Sequence, residues 1–259
     1  MNNLKKFGIE SLSYSSLTSF HYNRANWILE KLLKYKFPYS PSAIRGFAVE
    51  KAVEQFYIHD KSPLQCALDY YDKKIEEEAE QYGFDNDEDE LKYTKSVKKE
   101  RGVIEKIVAP TLMKLEEQLQ KPSLLTTQKK IECEIAGLKF IGYIDFHFYS
   151  MDTDIIVDLK TANQKTSVKH SHQMQQSIYW YATKMNPALL YTYPTGTYYK
   201  KLSNMQNYFK MVEEMAIAMD RFLGMVESTQ EIIALTKPDF DHWSWNSQTK
   251  DARKEVFGI

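Results

Sequence analysis

The order of residue patterns along the chain predicts an α/β protein whose first half is helical. Three observations carry that expectation. Hydroxyl-capped stretches with helical apolar spacing fill the chain up to Pro122. From Lys129 to Lys160 the pattern switches to strand-like alternation around short turns. Beyond that, a helical stretch is followed by a β-rich aromatic segment and a long amphipathic stretch.

The elements follow in order. Ser13 to Lys36 opens with hydroxyl residues suited to an N-cap and continues with Leu17, Phe20, Trp27, Ile28 and Leu32 at helical spacing, predicting one helix. After a loop containing Pro38 and Pro41, Ser42 is the expected cap of a second helix, SAIRGFAVEKAVEQFY, and Ser62-Pro63 starts a third. The acidic run Asp85 to Glu90 reads as a loop. A long helix is expected over Leu91 to Gln120, interrupted around Pro110 and stopped by Pro122. Lys129 to Ile135, Leu138 to Tyr149 and Asp154 to Lys160 then form a three-stranded meander, with Ala136-Gly137 as its first turn. A helix over Val168 to Met185, strands around residues 188–193 and 197–202, a helix over Met205 to Val226 and a capping tail with Trp243, Trp245 and Phe257 complete the prediction.

Bulk properties narrow the function. The 259 residues, 43% hydrophobic and 27% charged, suit one domain over 1–259 with a helical insertion at 61–125. No apolar run has the length of a membrane span, so no membrane partner is expected, and the N-terminus lacks a signal-type apolar core, which points to the cytoplasm. Two cysteines, Cys66 and Cys133, cannot build a zinc or iron–sulfur cluster unaided. A net charge of −1 excludes a generally basic coat, yet Lys92, Lys95, Lys98, Lys99, Arg101 and Lys106 lie close together. That run is either a solvated helix face or a stripe that binds a phosphate backbone.

The chemistry concentrates between Leu138 and Ala162. Alternation on the last meander strand puts Asp158 and Lys160 on one face, and on the preceding strand Asp145 shares a face with Tyr143 and His147. Carboxylates at the ends of buried strands are costly unless they bind something. A pairing of Asp145 beside Asp158 makes an oxygen site of the kind Mg²⁺ takes. A salt bridge from Lys160 to one aspartate is the alternative, and it leaves the other aspartate without a partner. In the second helix, Glu50 and Glu54 lie four residues apart on a nearly all-apolar helix, where Glu50 can join the metal shell with Glu54 behind it, or both can face solvent beside Lys51. Downstream, Gln175 and Tyr179 are one helical turn apart, with His172, Gln173 and Gln176 nearby. Amides and a phenol there can bind phosphate oxygens, or form an ordinary polar face.

Taken together, SYSSLTSF, RGFAVEKAVE, GYID, VDLKTA and QQSIY resemble, in order, the motifs of the PD-(D/E)XK nuclease superfamily and its RecB-like exonuclease branch. The resemblance implies a restriction-endonuclease-like core, a mixed central β-sheet flanked by helices. It implies that Asp145 and Asp158 bind metal, one or two Mg²⁺ or Mn²⁺ ions, and that Lys160 orients the attacking water and stabilises the phosphate. Gln175 and Tyr179 fall on the branch's Q-x-x-x-Y motif. Glu50 stands where many RecB-like members have a histidine ligand. The missing cysteine cluster excludes the iron–sulfur members. Implied, then, is a DNA exonuclease acting on single strands or ends in recombination, repair or phage DNA metabolism, with a helicase or recombination partner for any unwinding. The rivals are a structure-specific endonuclease on the same fold and a catalytically silent DNA-binding protein. Supporting DNA contacts are expected from Gln173, Glu54, Lys95, Lys98 and Lys99.

Overall fold

The computed structural model describes residues 2–59, 62–81, 84, 86–238 and 249–258. The chain divides into two compact units, one made of Met1–Phe37, Ile131–Gly142 and Gln206–Ile259, the other of Pro38–Lys130 and Tyr143–Met205.

The first unit begins with α1 (Tyr14–Tyr22), capped by Ser13, whose hydroxyl accepts from Ser16 N–H. The single helix expected from Ser13 to Lys36 is broken at Asn23. That residue leaves the helical region and its side chain accepts from Asn26 N–H, so it ends α1 and caps α2 (Arg24–Trp27), which runs on as a π-helical turn over Ile28–Leu32. Phe20 meets Trp27 and Phe222 edge-on, with ring centroids 5.1 and 5.5 Å apart, and the Arg24 guanidinium lies over Phe20 and Phe222. Phe222 belongs to α7 (Met205–Gly224), which is followed by α8 (Thr229–Ala234) and α9 (Lys250–Phe257). Trp243 and Trp245 of the expected capping tail lie outside the described residues.

The second unit holds α3 (Pro41–Glu54), α4 (Pro63–Ala79) and α5 (Asp87–Leu119). Ser40, not Ser42, caps α3, because Pro41 at the first helical position fixes the start one residue after Ser40. The run expected as an acidic loop is instead the first turn of α5: Asn86 caps it, and Asp87, Glu88, Asp89 and Glu90 lie where the helix dipole favours negative charge. Pro110 does not interrupt α5, since the helix stays continuous across it. The helix stops before Pro122, where Gln120 takes the left-handed conformation at φ 51°.

Five strands form one sheet in the order β1 (Ser123–Ile135), β2 (Leu138–Ser150), β3 (Thr153–Thr161), β4 (Asn186–Tyr193) and β5 (Gly196–Lys201). Two-residue loops join the first three strands, Ala136-Gly137 and Met151-Asp152, all four residues having positive φ as a tight right-twisted hairpin requires. The expected meander is therefore present, and two further strands extend it. α6 (His170–Thr183) carries the chain from β3 to β4, which pair in parallel, while β2–β3 and β4–β5 are antiparallel. The sheet is mixed and flanked by helices, as the sequence implied.

β3 is the centre of the sheet and is buried on both faces from Ile155 to Leu159. Ile155, Val157 and Leu159 join Phe146, Phe148, Ala188 and Leu190 in a core packed against α3, α4 and α5. The stretch 61–125, expected as an insertion, supplies much of that core through Tyr71, Ile104, Ile107 and Leu115. Asp158 and Lys160 alternate away from it.

A buried polar cluster ties these helices to the end of β3. Arg45 of α3 pairs with Glu100 of α5 while its Nε donates to Thr161 Oγ1 at 3.2 Å, and another guanidinium nitrogen donates to Asn163 Oδ1 at 2.5 Å. Both ionic side chains are almost fully buried. Truncating one partner strands the other charge in the core. Arg45→Met is expected to destabilise the protein by about 3–5 kcal/mol in chemical denaturation, and adding Glu100→Leu to recover most of that loss.

Candidate active site

Three carboxylates converge on the opened edge of the β2–β3 ladder. The last paired residues there are Phe146 and Val157. One step further the Leu159 N–H donates to Asp145 Oδ2 at 3.0 Å, so a side chain takes a strand donor and the aspartate is held in a fixed orientation. Asp158 is 1% exposed, its Oδ2 lies 2.7 Å from Lys160 Nζ, and its Oδ1 is buried with no hydrogen-bond partner. Glu50 reaches the same region from α3, where Gln128 of β1 donates to its Oε2 at 3.0 Å. A cleft of about 300 Å³ opens beside them, lined by Glu50, Lys51, Glu54, Gln128, Asp145 and the aromatic rings of Phe47 and Tyr70.

The electrostatics are unbalanced. Burial, then the neighbouring Asp158 and Glu50 charges, hold the Asp145 carboxyl well above the usual carboxylate range, against the opposing pull of Lys160 and the Leu159 N–H. Burial raises Asp158 too, opposed by Lys160. Burial and the Asp158 charge push Glu50 up to about 7. Burial alone would lower the Lys160 ammonium, but Asp158 and Asp145 outweigh it and keep the group above its ordinary value, firmly charged. One ammonium thus faces three carboxylates, each of which resists ionisation chiefly because it is buried.

That deficit tests the fit of a divalent cation. Among the described residues no three His, Cys, Asp or Glu side chains already stand at ligating positions. The donor set is nevertheless hard oxygen throughout, one aspartate oxygen is buried and unpartnered, and burial raises all three carboxyls, with like-charge neighbours adding to it at Asp145 and Glu50. Glu50, Asp145 and Asp158 therefore suit Mg²⁺ or Mn²⁺ in donor type and charge.

The structure brings together most of the residues singled out from sequence. Lys160 Nζ donates to Gln175 Oε1 at 3.4 Å, and Gln175 Nε2 donates to Tyr179 Oη at 2.9 Å, so the amide links ammonium to phenol. Glu54 lines the cleft but pairs with Lys51 at 2.9 Å. Gln173 is half-buried on α6, outside this chain of hydrogen bonds. Lys95, Lys98 and Lys99 are exposed along α5 and are not among the residues that line the cleft. His147 is buried and pairs with Asp154 at 2.6 Å, a structural role. Sequence reading missed Arg45, Gln128 and Tyr191. Tyr191 sits in register with Lys160 on β4, and its hydroxyl meets His172 Nδ1 at 2.7 Å. Only the Arg45 position, inside the otherwise apolar stretch from Ala43 to Val49, gave a signal: a buried cation needs an anion within reach.

A model of the PD-(D/E)XK nuclease superfamily matches residues 11–251. The chain belongs to the PD-(D/E)XK nuclease superfamily. Among solved structures, a crystal structure named "putative exonuclease" from Eubacterium rectale superimposes with a TM-score of 0.56 at 15% identity, covering 91% of this chain and 87% of that one. At that identity the likeness concerns the fold alone. A second, SSO0001, covers 83% of this chain and 84% of its own at 13% identity, with a TM-score of 0.33, too low to support any argument. No curated protein matches the sequence. Among the described residues of this PD-(D/E)XK chain, no helix is long and apolar enough to cross a membrane, and Cys66 and Cys133 are free.

The raised Glu50 carboxyl gives the nuclease domain a stability signature. Folded Glu50 keeps its proton up to about pH 7, whereas the unfolded chain releases it near the ordinary glutamate value of 4.5. Between those values the folded state holds more protons, so rising pH removes stability, and the loss is complete above the folded pKa. In a chelator, Glu50→Gln is expected to raise Tm relative to wild type by an amount that grows from pH 4.5 to 7. Adding Mg²⁺ is expected to stabilise wild type more at about pH 8 than at about pH 5. A difference between the two proteins that does not change with pH would contradict this.

Proposed function

We propose that this chain is a metal-dependent deoxyribonuclease, an exonuclease that hydrolyses phosphodiester bonds in single-stranded DNA or at DNA ends. One observation carries the reading. Asp158, buried between a charged Lys160 and two further carboxylates, keeps an oxygen without a partner. Such an arrangement is destabilising by itself and becomes balanced once cations and a phosphate enter. The E. rectale neighbour's name is of the same kind.

Glu50, Asp145 and Asp158 would hold one or two Mg²⁺ or Mn²⁺ ions, and bound metal supplies Lewis-acid polarisation of the scissile phosphate. This chain's own groups do the rest. The Leu159 N–H fixes one Asp145 oxygen and Gln128 fixes one Glu50 oxygen, so both carboxylates are oriented before substrate arrives. Lys160, held charged by its aspartates and aimed by Gln175, offsets the negative charge that builds on the phosphate oxygens as water attacks in line and the leaving oxygen departs. Phe47 and Tyr70 offer apolar walls beside the carboxylates, where an unstacked base can rest. The exposed Lys95, Lys98 and Lys99 on α5 form a stripe for the strand backbone, and Gln173 and Glu54 support its course. Recombination, repair or phage DNA metabolism would supply such substrates, with unwinding by a partner helicase, because the sequence has no G-x-x-x-x-G-K-[ST] loop.

Oligonucleotides labelled at each end in turn test this directly, as linear single strands, duplexes and single-stranded circles. With Mg²⁺ or Mn²⁺, stepwise shortening of linear substrates and intact circles are expected. Asp158→Ala or Lys160→Ala should reduce cleavage by about 10²–10³-fold or more. Absence of cleavage with either metal, or full activity in either variant, would sink the reading. Cut circles would assign an endonuclease on the same fold. A chain that binds DNA yet shows no Mg²⁺ binding by calorimetry would be a silent module.

The lysine stripe has its own test. Reversing the charge at Lys95, Lys98 and Lys99 is expected to weaken binding of single-stranded DNA and flatten its salt dependence, by roughly 0.7 in log–log slope for each lysine–phosphate pair removed. An unchanged slope would return the stripe to a solvated helix face.

A further inference from the structure

His172 lies one helical turn before Gln175 on α6, and Tyr179 lies one turn after it, so the three share a stripe. The stripe faces Lys160 and Tyr191, which are neighbours in the parallel β3–β4 register. The Tyr191 oxygen accepts the Lys169 N–H at 3.3 Å, which leaves its own proton available to His172 Nδ1, 2.7 Å away. With Nδ1 as the acceptor of that proton, the ring proton of the neutral imidazole sits on Nε2. Burial, with the Lys160 and Lys169 charges, lowers the imidazole pKa to about 4, so the ring is neutral at physiological pH. Nε2 has no protein partner among the described residues and is not buried. Tyr191 is itself 1% exposed, and its ring stacks on the imidazole at a centroid distance of 5.7 Å, so the donor is held in place.

We propose that His172 contacts substrate: its Nε2–H, fixed by Tyr191, donates to a backbone phosphate oxygen of bound nucleic acid next to the phosphate that Lys160 engages. The inference rests on the nuclease reading of the same site and adds a contact that the Gln175–Tyr179 pair does not supply. A neutral donor suits this position. A second cation beside Lys160 would compete with it for Asp158 and Asp145, whereas a neutral N–H binds a phosphate oxygen without disturbing that balance. A purely structural imidazole would need only Nδ1, to satisfy the buried Tyr191 hydroxyl.

Two measurements on the full chain decide it. The first follows the imidazole nitrogens of ¹⁵N-histidine-labelled protein by two-bond proton–nitrogen correlation, with Ca²⁺ as the only divalent ion, during titration with a short oligothymidylate. Expected are an Nε2–H tautomer at neutral pH, movement toward Nδ1–H in Tyr191→Phe, and a shift of the Nε2 resonance on oligonucleotide binding. The second compares His172→Gln, which keeps an amide donor, with His172→Phe, which keeps a ring and loses the donor. His172→Phe is expected to raise KM about tenfold with kcat within about twofold, and His172→Gln to restore most of the difference. His172→Phe behaving like wild type, His172→Gln no better than His172→Phe, or a loss in kcat alone would overturn the proposal. Should both variants fail to fold, by circular dichroism, the titration of the wild-type chain decides. Oligonucleotide binding without an Nε2 shift removes the role of His172 and leaves the nuclease reading standing. An Nε2 shift in a chain that cleaves nothing does the reverse, and no binding at all removes both.

Discussion

One ammonium among three carboxylates is the constraint on which the second unit is arranged. Lys160 is the sole cation that the hydrogen bonds and ion pairs of the described residues place against Asp158, and Asp158 is fully buried. In a low-dielectric setting, two charges in contact still leave the other carboxylates uncompensated, and their raised proton affinities register that shortfall. The fold tolerates the arrangement because β3 is locked from both sides. Its core face packs on α3, α4 and α5, and its other face carries the charged pair toward α6. A strand free to slip by one residue would turn Asp158 into the apolar core and expose Leu159, so the apolar packing of β3 is also what aims its chemistry.

A second buried charge group guards the same strand where it ends, just past Lys160. Arg45, Glu100, Thr161 and Asn163 join α3 and α5 to the residues that leave β3. Arg45 and Glu50 belong to the same helix, five residues apart, so the cluster that anchors α3 also sets where Glu50 emerges relative to Asp145. Gly46 lies between them, and a Cβ there would stand 3.7 Å from Thr161 Oγ1, an ordinary contact. The position of α3 is therefore set by the Arg45 bonds and its apolar face, and a close backbone approach at the glycine is not required.

Legibility in the sequence follows the range of the interactions concerned. The hairpins can be read because two-residue turns and alternation are local, although Met151-Asp152 carries none of the usual Asn-Gly signal. The convergence of Asp145 with Asp158 is accessible because antiparallel pairing through a two-residue turn fixes the register. Helix boundaries are harder to read. Ser40 and Ser42 both look like caps, and only the proline between them decides; the acidic run that opens α5 looks like a loop until its charges are seen as favourable at a helix start. Gln128, Tyr191 and the partners of Arg45 escape notice because their roles depend on which distant strand or helix lies opposite, and no spacing along the chain encodes that. Glu50 is ambiguous on its helix alone, where an inward and an outward carboxylate produce the same pattern. Its placement beside Gln128 and the Asp145 cleft is a tertiary fact.

A carboxylate at position 50 gives this site a different charge arithmetic from the one an imidazole would give it. A neutral imidazole would leave two aspartates facing Lys160, close to balance with one divalent ion and a phosphate. With Glu50 the ionised site carries three negative charges against one positive, so it demands more positive charge from whatever binds and gives up more protons when it does. The Glu50 proton, retained up to about pH 7, is the group that mediates this exchange. Burial and Asp158 favour the neutral form of Glu50, and Lys160 favours the ionised one. Cation binding near neutrality would then be coupled to release of the Glu50 proton, whereas an imidazole ligand would release a proton only below its own pKa and would leave the loaded site with one negative charge fewer.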